Sequence, residues 1–317
     1  PPPPPPFSSR RRHTRWNCSS RGLGDVYKRQ AQARAFTEQY PDNQGGHVLL
    51  AQARMGLKQW DLAYAAWEQA LADDAAGAFE MNKMAGLCAA KLGRIEQALS
   101  HYQRAVQTTN DQADSEVYAA LGRLHLSLND VDSADQMFNR AVKARGPGED
   151  TNYRHEAYAG LADVAAVNKD IDTALSWVDR AIKMAKLDSD ADSAAYHIQK
   201  ARIYMDAGQD QDATAWLGYT WSQFPDAPWR IESARLRAKL YERADQLDNA
   251  VDYLQTITEY HRMSEMRNDQ TLANFTALLA DWQIKAKRID AANISLHNLQ
   301  TLAPNHPAID DLKARLR

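Results

Sequence analysis

Small and large apolar residues recur along the chain at intervals of three or four positions, the period of one face of an α-helix. In a typical segment a small residue is followed by a large one and then by another small one, as in Ala134, Phe138 and Ala141. No stretch sustains the alternation of apolar and polar residues that a half-buried strand requires. The pattern therefore predicts an all-α chain.

The same segment returns at a nearly fixed distance, since its leading alanine occurs seven times at intervals of 35 to 42 residues. The leading alanines are Ala63, Ala98, Ala134, Ala174, Ala213, Ala250 and Ala292. Twelve residues before each stands another small residue, namely Ala51, Gly86, Gly122, Ala162, Ala201, Ala238 and Ala280. A period of this length is typical of stacked helical hairpins, none of which buries its apolar face alone.

Close packing explains why these positions are small. Two antiparallel helices joined by a short turn approach each other only where the facing side chains are small. We expect Gly122 and Ala134 to face each other, with Tyr118 and Phe138 filling the space beside them. The short polar turns between the segments and the acidic residues near the start of each second helix support this helix-turn-helix unit.

The longer motif Tyr118-x2-Leu121-Gly122, followed by Ala134-x3-Phe138, resembles the tetratricopeptide repeat, a helix-turn-helix of about 34 residues. The resemblance covers residues 31–303 and implies a right-handed α-solenoid. It predicts one unpaired helix at 31–40 followed by about seven helical hairpins. Residues 304–317 are interpreted as a C-terminal capping helix, with the first half of a further repeat as the alternative.

The first 30 residues do not share this pattern. They begin with six prolines and continue as a basic stretch that resembles translated sequencing-adapter read-through. We interpret residues 1–30 as a non-native leader, which implies that the natural N-terminus is missing; a disordered polyproline arm with a basic patch is the alternative. The sequence therefore leaves a cytoplasmic or a periplasmic location open.

Charge and hydropathy narrow the class of partner. The leader holds seven Lys or Arg and one acid, so the remainder of the chain carries a formal net charge of −9. An acidic chain argues against nucleic-acid binding through a basic surface. The apolar runs are far shorter than the roughly 18 residues of a membrane span. We expect a monomer with a protein or peptide partner.

Motifs for catalysis or metal binding are missing from the sequence. It contains neither a nucleophile elbow nor a phosphate-binding loop, and no histidine pair has the spacing of a metalloprotease helix. The acidic run at 188–192 begins like a calcium loop, but Ser193 and Gln199 stand where that loop needs Gly and Glu. Cys88 lies alone on an apolar helix. We predict a chain that is not an enzyme and has no cofactor or metal.

The resemblance implies that a ligand binds on the concave face formed by the first helix of each repeat. Basic residues predicted to lie on that face form the candidate partner site: Arg202, Arg235, Lys239, Arg243, Lys83 and Arg123. Three of them follow one another at every fourth position and indicate an acidic partner segment. Two alternatives remain open. One is a solvated face neutralised by Glu232, Glu242 and Asp206; the other is an apolar surface of Leu87, Leu126, Ile198 and Met205.

These observations favour a non-catalytic protein-protein interaction scaffold. Two other roles are compatible with the sequence. The array could be the repeat arm of a bacterial envelope or polysaccharide-export protein. It could instead be the accessory domain of an enzyme whose catalytic part is truncated.

Overall fold

The computed structural model describes residues 20–71, 78–109, 113–144, 154–187, 193–224, 227–264 and 268–316. Within these ranges the chain is helical and contains no strand. It divides into two compact units, one of residues 1–130 with 143–150 and the other of residues 131–142 with 151–317. The prediction of an all-α fold of helix-turn-helix repeats is confirmed.

Unit 1 contains two complete hairpins and two flanking helices. Its helices are α1 (Ser20–Gln39), α2 (Gln44–Gly56), α3 (Trp60–Leu71), α4 (Ala78–Lys91), α5 (Ile95–Thr108) and α6 (Ser115–Ser127). Helices α2 and α3 form one hairpin, and α4 and α5 form the next. Helix α1 packs on α2, and α6 packs on α5.

Unit 2 continues the same construction. Its helices are α7 (Val131–Lys143), α8 (Arg154–Val167), α9 (Ile171–Leu187), α10 (Ala194–Asp206), α11 (Asp210–Gln223), α12 (Ala227–Arg243), α13 (Leu247–Met263), α14 (Asp269–Lys285), α15 (Ile289–Leu302) and α16 (Ile309–Arg315). From α8 to α15 consecutive helices pair as hairpins, and first helices of neighbouring hairpins also touch, as α10 does α12.

The two ends of the array differ in how they compare with the sequence analysis. Helix α1 begins at Ser20, so it extends further toward the N-terminus than the helix predicted at 31–40. Residues 1–19 of the predicted leader lie outside the described residues, and the origin of residues 1–30 stays a prediction. At the other end, α16 packs Ile309 and Leu312 against α14 and α15. Its capping role also stays a prediction.

Helix packing in both units depends on small residues that face a large ring. All seven leading alanines have no exposed surface. In unit 1, a Cβ atom added to Gly86 would lie 3.1 Å from the Tyr102 ring. In unit 2, a Cβ atom on Gly160 would lie 2.2 Å from the Phe138 ring, so α7 and α8 touch through a position that accepts no side chain. The sequence pattern had marked Ala162, not Gly160, as the small residue of α8.

One type of turn joins the two helices of every predicted hairpin. Each turn has one residue with positive φ: Lys58, Gly93, Asn129, Lys169, Gly208, Asp245 and Lys287. The amide of the residue after it donates to the carbonyl five residues earlier, as Asp170 N does to Ala165 O at 2.9 Å and Gln209 N to Tyr204 O at 2.9 Å. This is the Schellman arrangement, which satisfies carbonyls that the helix end leaves free. The next helix starts at once with an acidic residue in its first turn.

Two glycines of unit 2 provide a test of the close packing. Gly160→Ala should lower the free energy of unfolding by about 1 to 3 kcal/mol, because the new methyl group overlaps the buried Phe138 ring. Gly218→Ala on α11 meets nothing within 4 Å and should raise it by about 0.5 to 1 kcal/mol. Urea denaturation followed by circular dichroism measures both. Equal effects of the two substitutions would contradict the packing described for α7 and α8.

The turns give a second pair of opposite effects. Gly208→Ala places a Cβ atom on a residue with φ of 72°, and the free energy of unfolding should fall by about 1 kcal/mol. Lys169→Gly relieves the same strain at φ of 61° and should raise it by up to about 1 kcal/mol. Thermal denaturation of the two variants beside the parent chain provides the comparison. Destabilisation by Lys169→Gly would show that its turn carries no backbone strain.

Candidate functional site

Four of the six predicted partner-binding residues lie close together in unit 2. Arg202 is on α10, and Arg235, Lys239 and Arg243 follow one another at every fourth position of α12. All four side chains are exposed. Because α10 and α12 are neighbouring first helices, the four residues share one surface. We call this surface the α10–α12 face.

Carboxylates occupy much of the α10–α12 face. Glu232 accepts hydrogen bonds from Arg202 at 2.7 Å and from Arg235 at 3.1 Å. Arg243 donates to Asp210 at 3.0 Å and also to the main-chain carbonyl oxygen of Met205. Three of the four cations are therefore already paired. Glu232 has the neutralising role that the sequence alternative gave it, whereas Glu242 receives Lys285 at 3.5 Å instead.

Lys239 differs from its neighbours. In the part of the chain that the structure describes, its ammonium group has no hydrogen-bond or ion-pair partner. It stands one helical turn from Arg235 on one side and from Arg243 on the other. The α10–α12 face thus has one uncommitted cation at its centre, flanked by two guanidinium groups that are about half exposed.

The ion pairs continue across unit 2 from one helix to the next. Lys285 links α14 to Glu242 of α12, and Arg315 links α16 to Asp281 of α14 at 2.6 Å. Most members of these pairs are partly exposed, so each contributes between 0 and about 1 kcal/mol. Ion pairs of this strength hold the side chains in position. Their cations can readily bind another carboxylate in place of the present one.

Lys83 has a different environment. It lies on α4 in unit 1, where only 7% of its surface is exposed. Its ammonium group contacts Asp114 at 2.7 Å and Glu116 at 2.5 Å. Burial alone would lower the Lys83 pKa, but the charges of Glu116 and Asp114 outweigh it, so the pKa is raised above its usual range. Asp114 also caps α6 through the amide of Val117, and Lys83 therefore ties α4 to the start of α6.

Arg123, the sixth predicted residue, lies exposed on α6 of unit 1. Lys83 and Arg123 are therefore not part of the α10–α12 face. The apolar alternative is wrong for two of its four residues, since Ile198 and Met205 are buried in the core between α10, α11 and α12. Leu87 and Leu126 are half-buried in unit 1.

Sequence reasoning named Glu232 as a neutralising acid but did not identify Asp210 or Asp281 as partners of these cations, although the sequence carries a signal for such pairs. Arg202 and Glu232 are 30 residues apart, and Arg315 and Asp281 are 34 apart, which is about the length of one repeat. Opposite charges separated by one repeat come together wherever neighbouring hairpins stack in register. A search for such charge pairs would have found both.

Other candidate chemistry has a plain structural account. Burial raises the pKa of the Cys88 thiol to about 12, which makes the reactive thiolate scarce at neutral pH. Among the described residues, no group of three or more His, Cys, Asp or Glu side chains is arranged to hold a metal ion. The acidic run at 188–192 lies outside the described residues. None of the described helices is both long enough and apolar enough to cross a bilayer.

Comparisons with known proteins agree with this architecture. Two family models, both described as tetratricopeptide repeat, match residues 48–114 and 89–155. Among solved structures, a tetratricopeptide repeat protein from Parabacteroides merdae aligns with a TM-score of 0.59 at 14% identity, covering 93% of each chain. PilW, a type IV pilus biogenesis factor, gives a TM-score of 0.55 at 18% identity over 70% of this chain and 95% of its own. No curated protein matches the sequence.

At these identities the solved structures share the fold alone with this chain. The family models add the sequence pattern itself, and they span the hairpins in which Gly86 meets Tyr102 and the leading alanines are fully buried. Residues 48–155 therefore carry tetratricopeptide repeats.

Proposed function

We propose that this protein is a non-catalytic interaction scaffold that binds an acidic segment of a protein partner on the α10–α12 face. Tetratricopeptide repeats typically act as interaction scaffolds, which supports the general role. The observation that carries the site is Lys239, an exposed cation without a partner in the described residues. A carboxylate placed there gains a charge-assisted hydrogen bond that the free protein does not make.

The neighbouring arginines extend this site. Their ion pairs are exposed and weak, so a partner carboxylate competes with Glu232 or Asp210 at little cost. Residues four apart on a helix are separated by about 6 Å along its axis. Two residues of an extended chain cover about 6.5 Å. The spacing of Arg235, Lys239 and Arg243 therefore suits an extended segment with acidic residues at alternate positions.

Charge complementarity of this kind affects the rate of association and the dependence on salt more than it adds buried area. Affinity for an acidic segment should therefore fall as the salt concentration rises, because exposed charges are screened within about 10 Å at 0.1 M salt. Binding driven by an apolar surface would lack this dependence.

A charge reversal tests the site. Peptides are selected against the purified protein from a random displayed library, and their affinities are measured by fluorescence anisotropy for the parent and for Lys239→Glu. We expect selected peptides to be acidic and Lys239→Glu to weaken them at least about tenfold, equivalent to about 1.4 kcal/mol. Lys183→Glu, an exposed change of the same charge on α9, is the matched control and should alter affinity less than about twofold. Equal affinity of Lys239→Glu and the parent protein would rule out the α10–α12 face.

A further inference from the structure

A buried histidine lies near the start of α10, against the C-terminal part of α11. His197 on α10 has 1% of its surface exposed, and neither ring nitrogen has a hydrogen-bond partner in the described part of the chain. Its ring stacks on Trp216 at 5.3 Å between centroids and also contacts Tyr219 at 5.5 Å and Phe224 at 5.0 Å. We call these three rings the aromatic pocket.

The aromatic pocket suits a neutral imidazole far better than a charged one. An imidazolium has two N–H donors, and a buried charge without acceptors is strongly disfavoured. Trp216 adds no acceptor, because its indole nitrogen can only donate, and in the described residues that nitrogen is itself buried without a partner. Tyr219 is 41% exposed, so it forms an outer wall between the ring and water.

The charges that act on His197 come from α9 and from α10 itself. Lys186 of α9 and Lys200 of α10 repel a proton on the ring, and Asp179 of α9 attracts it. Asp179 is already paired with Lys200 at 2.7 Å. Burial first, and then these two lysines, lower the pKa of His197 to about 4.

Among the described residues, the remaining elements packed against α10 provide no further carboxylate that acts on the ring. From α12, Leu236 and Leu240 pack into the core of this hairpin. From α8, the carboxylate of Asp163 accepts a hydrogen bond from Gln199 at 2.6 Å. Above about pH 4, protonation of the ring is therefore favoured only after the packing of this hairpin changes.

We propose that His197 makes the α10–α11 hairpin an acid-sensitive joint, because a proton on its ring drives the ring out of the aromatic pocket and loosens the hairpin from its neighbours. Each repeat is stabilised by contacts with the next repeat on either side. A change in one hairpin therefore alters the stability of that hairpin and of its immediate neighbours. This inference does not depend on the proposed binding of a partner.

The direction of the pH effect follows from proton uptake. The pKa of a freely exposed histidine is about 6.5. Between that value and about 4, the open hairpin binds a proton that the closed one does not. The contribution of the neutral His197 ring to the stability of the closed hairpin is therefore complete above pH 6.5. It is lost as the pH falls toward 4. At pH 5 the equilibrium constant for opening should be about twentyfold larger than at pH 7.

Hydrogen exchange read by mass spectrometry on the full chain tests this, with labelling times corrected for the intrinsic effect of pH. In the parent protein, protection of α10 and α11 should fall about twentyfold between pH 7 and pH 5. His197→Phe keeps an aromatic ring in the pocket and does not titrate, so this fall should disappear. His297→Phe removes an exposed histidine of α15 and should behave as the parent does. The same fall in His197→Phe, or none in the parent, would overturn the proposal.

If His197→Phe fails to fold, a second measurement tests whether His197 makes the hairpin sensitive to acid. Nuclear magnetic resonance of the parent protein with 15N-labelled histidine follows each ring directly. The ring of His197, identified by its contacts with the three rings of the aromatic pocket, should remain neutral at pH 5, and its loss of neutrality on further acidification should coincide with loss of the folded signals of α10 and α11. If every histidine ring titrates near pH 6.5 while those signals persist, His197 is not an acid-sensitive group.

Discussion

Close approach of helices at small residues is the constraint on which the rest of the structure depends. Gly160 leaves room for the Phe138 ring in unit 2, and Gly86 does the same for Tyr102 in unit 1. The leading alanines of both units are fully buried as well. Short Schellman turns then fix each pair as antiparallel neighbours, and first helices come to lie beside first helices. A larger side chain at these positions would separate helices whose polar groups are spaced for contact.

The stacking of the hairpins determines which charged side chains become neighbours. Once hairpins stack in register, residues about one repeat apart become neighbours, and pairs such as Arg202 with Glu232 and Arg315 with Asp281 form between first helices. Carboxylates of unit 2 pair with three of the four cations of the α10–α12 face. Lys83 is the extreme case, because it is buried and forms ion pairs with two carboxylates. What distinguishes Lys239 is that no carboxylate pairs with it in the described residues, and for this reason we propose it as the residue that receives a partner.

The repeat architecture could be predicted because small and large residues recur at fixed intervals, and a single sequence shows such intervals directly. The site could be predicted only in part, since the state of a surface cation depends on a partner one repeat away. Arg202 and Arg235 lie where the pattern indicated, yet Glu232 neutralises both. Ile198 and Met205 were expected on the surface but are buried, because α12 covers that side of α10. His197 gave no signal, since its environment exists only after α10 and α11 pack together.

A double-mutant cycle on Gly160 and Phe138 tests the central claim most directly. If the two positions are in forced contact, Phe138→Leu should relieve the overlap created by Gly160→Ala. The loss of stability in the double variant should then be smaller than the sum of the single losses by about 1 kcal/mol or more. Urea denaturation of the four proteins gives this coupling energy. Additive effects would contradict the account, because they would mean that no close contact between α7 and α8 limits the residue at position 160.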